Sequence, residues 1–228
     1  MIADRLRRVQ LRLAEACQRC GRDPTSVLLI GVTKGVESDR IAEAVRCGLA
    51  DLGENRVQEA RGKREALGLP GVRWHLIGHL QRNKSKPAVE LFDTVHSVDS
   101  LELVEALERD AAARRKRLGV FVQVNISGEA TKFGCSSAEA VPLARAVSQR
   151  SHLELAGLMT IAPLAEDPEA ARPCFRGLRQ VRNDVAAALS REASSLKLSM
   201  GMSHDFEVAV EEGADVVRIG TAIFKDQD

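Results

Sequence analysis

Apolar positions along this chain follow two periods in turn. Ile2, Leu6, Val9, Leu13, Cys17 and Cys20 recur at spacings of three and four, which is one face of a helix. Short apolar runs follow it. Residues 27–32 (VLLIGV) read as a strand buried on both faces. Further strands are predicted at 49–52, which is weak, then at 72–77, 94–98, 119–125 (GVFVQVN, the clearest), 153–159, 196–199 and 216–219. Helical stretches lie between them: 38–47, stopped by Gly48, then one running to about 67, then 101–117, 138–149, 168–189 and 205–212. Parallel strands need helical crossovers, and eight of them close into a barrel. The fold class expected is α/β: a single (β/α)8 TIM-type barrel with an extra N-terminal helix, one domain over residues 1–228. An open doubly wound sheet is the alternative. It usually has fewer strands, and its G-x-G-x-x-G fingerprint is missing, as is the G-x-x-x-x-G-K-[ST] loop.

The charge balance narrows the function. With 33 basic and 32 acidic side chains the net charge is +1, which gives no global pull towards nucleic acid or an anionic membrane. The run Arg114-Arg115-Lys116-Arg117 ends a helical stretch, where positive charge complements the helix dipole, and reads as a solvated face. No apolar stretch approaches the roughly 20 residues that span a bilayer. The basic N-terminus is interrupted by Arg12 and carries Asp4 and Glu15, unlike a transit peptide. Five cysteines, an odd count without a secretion signal, fit reduced thiols and a cytoplasmic location. Cys17 and Cys20 form a C-x-x-C on the core-facing side of a helix, and no second pair completes a zinc set. His75 and His79 fall on a strand and a loop, with no H-E-x-x-H, so no metal site is expected. There is no G-x-S-x-G and no serine-hydrolase arrangement.

In an α/β barrel the working residues sit at the carboxyl ends of the strands. Those ends carry Lys34, Glu54-Asn55, Gly78-His79, Ser97 and Asp99, Asn125, Met159-Thr160, the segment 199–203 (SMGMS) and the segment 218–221 (RIGT). Lys34 directly follows an apolar strand, so its amine is expected to be partly desolvated. Desolvation raises the neutral, nucleophilic fraction that imine formation requires. A snorkelling loop lysine is the bland alternative. The loops after strands seven and eight are the usual phosphate site of such barrels. Gly201 and Gly220 would let backbone N–H groups approach an anion, and Ser203 and Thr221 add hydroxyl donors. Alternatively, Ser203 simply caps the helix at 205–212.

These residues bring a family into view. GVTK around Lys34, GENRVQE at 53–59, WHLIGHLQRNK at 74–84, TKFG at 131–134, GLMTI at 157–161 and SMGMSHDFEVAVEEGADVVRIGTAIF at 199–224 resemble the pyridoxal phosphate homeostasis protein family. That family's barrel is the one found in the N-terminal domain of alanine racemase. The resemblance implies pyridoxal 5′-phosphate (PLP) held as a Schiff base on Lys34, with Arg218 at the pyridine nitrogen. It implies phosphate contacts at Ser203, Gly220 and Thr221, with Met202 and Gly201 in the same loop and Asn55 near the cofactor. His79 stands in a G-H-L that is G-P-L in some relatives, and His204 where members vary, so neither receives a role.

The function implied is vitamin B6 homeostasis with little or no turnover; apart from the resemblance, a monomer is expected, with PLP-requiring apo-enzymes as candidate recipients. Racemases with the same arginine use a tyrosine from a C-terminal β domain as their second base. This sequence ends just past the barrel and contains no tyrosine. A weak PLP-dependent racemase or lyase is one alternative. A Schiff-base aldolase with substrate phosphate in the glycine loops is another.

Overall fold

The computed structural model describes residues 1–129 and 131–225. The apolar runs form parallel strands in sequential order: β1 (Leu28–Val32), β2 (Asp51–Glu54), β3 (Arg73–Leu76), β4 (Thr94–Val98), β5 (Leu118–Gln123), β6 (Leu153–Met159), β7 (Lys197–Ser199) and β8 (Val216–Ile219). Each pairs with the next, and β8 returns to β1 with Ile30 opposite Arg218, so the sheet closes into a barrel. Helices α1 (Ile2–Arg19), α2 (Ser38–Arg46), α3 (Val57–Leu67), α4 (Ser85–Leu91), α5 (Leu101–Ala113), α6 (Ser137–Ser148), α7 (Arg172–Ala188), α8 (Phe206–Glu211) and α9 (Thr221–Phe224) surround it. The barrel and the extra N-terminal helix are as the periodicity predicts.

Differences from the predicted elements have local causes. β2 starts at Asp51, two residues later than expected, because Leu49 belongs to the end of α2: its N–H donates to the Ala44 carbonyl. The leucine side chain also lies over Gly31, where an added Cβ would sit 2.4 Å from Leu49 Cδ2. The shift carries Glu54 into the strand. Between β3 and β4 no helix range was predicted, yet α4 supplies the crossover. It tolerates Pro87 because a proline in the first turn removes no intrahelical bond. α5 stops at Ala113, not at 117, because Arg115 turns left-handed at φ 52°. The basic run still begins at the helix end, with Arg114 as the C-cap of α5 and residues 115–117 just beyond it. Arg114 pairs with Glu90 at 3.2 Å, and Lys116 Nζ donates to the carbonyls of Val89 and Phe92.

The core has two parts. The larger fills the space between sheet and helices, and α1 contributes Ile2, Leu6, Val9, Leu13, Ala16 and Cys17 to it. Cys20 lies at the end of α1, its thiol donating to the Ala16 carbonyl at 3.3 Å. The smaller part, Ile30, Phe121, Met159 and Val216, lies on β1, β5, β6 and β8 and lines the barrel interior. Barrel interiors are usually filled by layers of branched apolar side chains. Here much of the remaining space is polar: Asp51, His75, His96, Ser199 and Arg218 are all buried.

Candidate functional site

The loop after β1 leaves the sheet at once. The Val36 N–H donates to the Thr33 carbonyl at 3.0 Å, and Gly35 takes φ +66°, so residues 33–36 form a tight turn. This turn exposes Lys34, and the desolvation expected for its amine is not supplied by the chain itself. The turn is braced from below. Thr33 Oγ1 donates to Glu54 Oε1 at 2.5 Å, and Lys63 Nζ on α3 reaches the same oxygen at 2.6 Å. Lys63 also donates to the Thr33 carbonyl. Glu54 is fully buried, and this buried ion pair ties the ends of β1 and β2 to α3.

The loops after β7 and β8 meet at Ser203. Its Oγ accepts from the N–H groups of Gly220 at 3.2 Å and Ala222 at 3.3 Å. Ser203 therefore does not cap α8. Asp205 is the N-cap residue, though its side chain makes no cap bond to α8; its Oδ1 accepts instead from the Met202 N–H of the preceding loop at 2.6 Å. Gly201 permits the fold of this loop: its φ is +92°, and a Cβ would come within 2.6 Å of the Ala209 methyl group. Lys34, Val32, Arg40, Gly220, Thr221 and Lys225 line one cleft of about 310 Å³.

One layer down, Arg218 is buried. Its Nη1 donates to Ser199 Oγ at 2.7 Å and its Nη2 to the Thr160 carbonyl at 2.9 Å. Burial pulls this guanidinium down to about 10, opposed by the Asp205 carboxylate, so it is a cation at neutral pH. Those two bonds use two of the five N–H donors that a guanidinium carries.

Thus Lys34, Gly220 and Thr221 share a cleft, Ser203 joins them through hydrogen bonds, and Met202 and Arg218 lie in the adjoining segments. Asn55 is set apart. It lines a neighbouring cleft with His79, and Gly78 packs so closely on its backbone that a Cβ would meet the Asn55 carbonyl oxygen at 2.4 Å. His79 stacks on Phe133, with ring centroids 3.9 Å apart, and its Nδ1 is 3.6 Å from Asp99 Oδ2. His96 was not singled out in the sequence and His75 only as a rejected metal ligand, yet their rings meet at 3.1 Å inside the barrel. The signal available was a polar residue within each of two buried strands.

The donor set suits a phosphorylated pyridine aldehyde. The Ser203 hydroxyl and the backbone N–H groups of Gly220 and Ala222 lie together, an exposed lysine stands beside them, and a buried cation hydrogen-bonded to a hydroxyl and a carbonyl lies below.

Comparison with known proteins agrees with this chemistry. The family described as alanine racemase, N-terminal domain, matches residues 6–228. The pyridoxal phosphate homeostasis protein of Pseudomonas aeruginosa is 42% identical over 227 residues, covering 100% of this chain and 96% of the relative. That of Aquifex aeolicus is 42% identical, covering 98% and 97%. The structure of PipY from Synechococcus elongatus with PLP bound is 36% identical with a TM-score of 0.84, covering 98% of this chain and 100% of PipY. Alanine racemase of Clostridium difficile, 15% identical with a TM-score of 0.74, shares the fold, and this chain spans 57% of it. The chain belongs to the pyridoxal phosphate homeostasis protein family, built on the alanine racemase N-terminal domain.

Proposed function

We propose that this chain binds PLP at the mouth of the barrel and serves in vitamin B6 homeostasis, with little or no turnover. The observation that carries the reading is the meeting of Lys34 with the Ser203–Gly220–Thr221 donors at one rim. When bound, the cofactor supplies an aldehyde that condenses with an amine and a ring that withdraws electrons. Lys34 offers the amine. The Ser203 hydroxyl, itself held by the N–H groups of Gly220 and Ala222, takes the phosphate together with the Thr221 hydroxyl and the backbone beside Gly220, and Met202 shapes the same loop. Arg218 holds the ring nitrogen. Asn55 stands at the border of the site. Residues 1–228 act as one PLP-binding domain, of which residue 130 and residues 226–228 lie outside the described residues. The protein is a cytoplasmic monomer, and PLP-requiring apo-enzymes are its recipients. Transfer of PLP from the loaded protein to an apo-enzyme, faster than release into buffer, is the experiment that tests this role. Transfer at the rate of free release would sink it.

Two features argue against catalysis. Arg218 can only donate, so it holds the ring nitrogen unprotonated and weakens the electron sink. Racemisation also needs a proton-transfer group on each face of the substrate. The sequence has no tyrosine, and His79 lines the Asn55 cleft rather than the one holding Lys34. Exchange of the alanine Cα proton in heavy water should stay near the background of free PLP for both enantiomers. Rapid exchange with inversion, lost in His79→Ala, would restore the racemase reading. A colourless protein that binds no PLP would favour the aldolase.

The phosphate assignment has its own test. Ser203 Oγ accepts two N–H bonds, which leaves its hydrogen to donate. Ser203→Ala should weaken PLP more than pyridoxal, by about 1–3 kcal/mol for a lost charge-assisted bond. Equal weakening of the two ligands in a titration would place Ser203 outside the phosphate site.

A further inference from the structure

A continuous chain of polar side chains crosses the barrel interior from one end to the other. At the end opposite the mouth, Arg73 donates to Asp51 through Nε at 2.7 Å and Nη2 at 2.6 Å. Asp51 Oδ1 lies 2.9 Å from His75 Nε2, and His75 Nδ1 lies 3.1 Å from His96 Nε2. His96 Nδ1 lies 2.9 Å from Ser199 Oγ, which accepts from Arg218 Nη1 at 2.7 Å. The members come from β2, β3, β4, β7 and β8, and apart from Arg73 every one is buried.

The chemistry of the ends sets the direction of the bonds. Burial pushes the Asp51 carboxyl up, but hydrogen bonds from Arg73 and His75, and the Arg73 charge, outweigh it and hold it at about 2. Asp51 is therefore a carboxylate and can only accept. The groups facing His96 are His75, Ser199, Arg218 and the Phe121 ring stacked 4.3 Å away. Burial first of all keeps His96 neutral, and the Arg218 charge acts in the same direction. With a single proton on His75, every link then has one donor and one acceptor. His75 donates from Nε2 to Asp51, His96 from Nε2 to His75, Ser199 from its hydroxyl to His96, and Arg218 to Ser199. All donors point towards Asp51.

Burying this many polar groups is costly unless each is paired, and a fully paired network specifies a single arrangement. We propose that Asp51 is a positioning residue for the cofactor: acting through His75, His96 and Ser199, it fixes the orientation of Arg218 from the opposite end of the barrel. The inference rests on the reading that Arg218 faces the ring nitrogen. Asp51 itself touches nothing at the mouth. Its effect reaches the cofactor because committing the Ser199 hydrogen to His96 fixes the direction of the oxygen lone pairs offered to Arg218.

The cofactor-free protein gives the first test. Nitrogen-15 NMR of its imidazoles should show His75 and His96 as single Nε2–H tautomers, with His96 becoming a tautomer mixture in Asp51→Asn. An unchanged His96 signal in that variant would overturn the relay. The second test is a mutant cycle read on the absorption maximum of bound PLP and on its Kd. Ser199→Ala and Asp51→Asn should each move the band in the same direction and weaken binding by up to about tenfold. The double variant should match Ser199→Ala alone, since the effect of Asp51 passes through Ser199. Additive effects, or an Asp51→Asn protein that is less stable but has an unaltered band and Kd, overturn the proposal. Should Asp51→Asn not fold, His75→Gln takes its place in the cycle. Arg218→Lys separates the two readings: if it too leaves the band unmoved, the placement of Arg218 at the ring fails, and not merely the relay.

Discussion

Replacing Glu54 with alanine should lower the free energy of unfolding by about 3 kcal/mol, the low end of what breaking a buried ion pair costs. Glu54 is fully buried, and its Oε1 is the shared acceptor for Thr33 and Lys63. The variant leaves the Lys63 ammonium, 13% exposed, hydrogen-bonded to the Thr33 carbonyl without its carboxylate partner. The low end is expected because Oε2 is buried and has no hydrogen-bond partner among the described residues, so the native pair already carries a desolvation penalty. Replacing both partners with apolar residues, Glu54→Leu with Lys63→Met, should recover most of the loss, since it removes both charges together. Urea unfolding of the three proteins checks this. A Glu54→Ala midpoint close to that of the parent would show that the pair contributes little.

The contrast between Glu54 and Lys34 shows what the sequence could and could not convey. Barrel closure was legible because short apolar runs alternate with helical periods, and that pattern survives errors of two residues at a boundary. Register was less legible. In the weak second strand, GLADLGEN, the apolar residues end before the strand does, so Glu54 reads as loop although it is the buried last residue of β2. Lys34 fails in the opposite direction. The apolar run before it suggests burial, but the turn at 33–36 turns its side chain outward, and turn geometry depends on the Thr33–Glu54–Lys63 contacts. His75, His96 and Arg218 each interrupt an apolar strand, RWHL, TVHSV and VVRI. That interruption was visible. Their meeting was not, because it depends on which strand faces lie inward across residues 21 to 103 positions apart.

The largest functional effect is expected at Lys34. Lys34→Ala should abolish both the visible band of the lysine-linked cofactor and its trapping by borohydride, while leaving the stability within about 0.5 kcal/mol, as for an exposed side chain. The competing amines can be ranked. Lys63 is nearby in the fold, but its ammonium is held by Glu54 and by the Thr33 carbonyl, and an amine kept charged in an ion pair is a poor nucleophile. Lys225 lines the same cleft as Lys34, is exposed, and is therefore the real competitor. Position separates them. Lys34 sits on the turn braced against β2 and α3, whereas Lys225 follows the end of α9. An aldehyde whose phosphate lies on the Ser203 and Thr221 hydroxyls beside Gly220 and whose ring nitrogen meets Arg218 should accordingly reach the β1 loop. Lys225→Ala should keep the band, with at most a small loss of affinity from the missing charge. After borohydride reduction and proteolysis, the modified peptide should contain Lys34 in the parent and in Lys225→Ala, and no modified peptide should be found in Lys34→Ala. An adduct on Lys225 in the parent protein would move the covalent site to the end of the chain and leave Lys34 as a solvent-exposed loop residue.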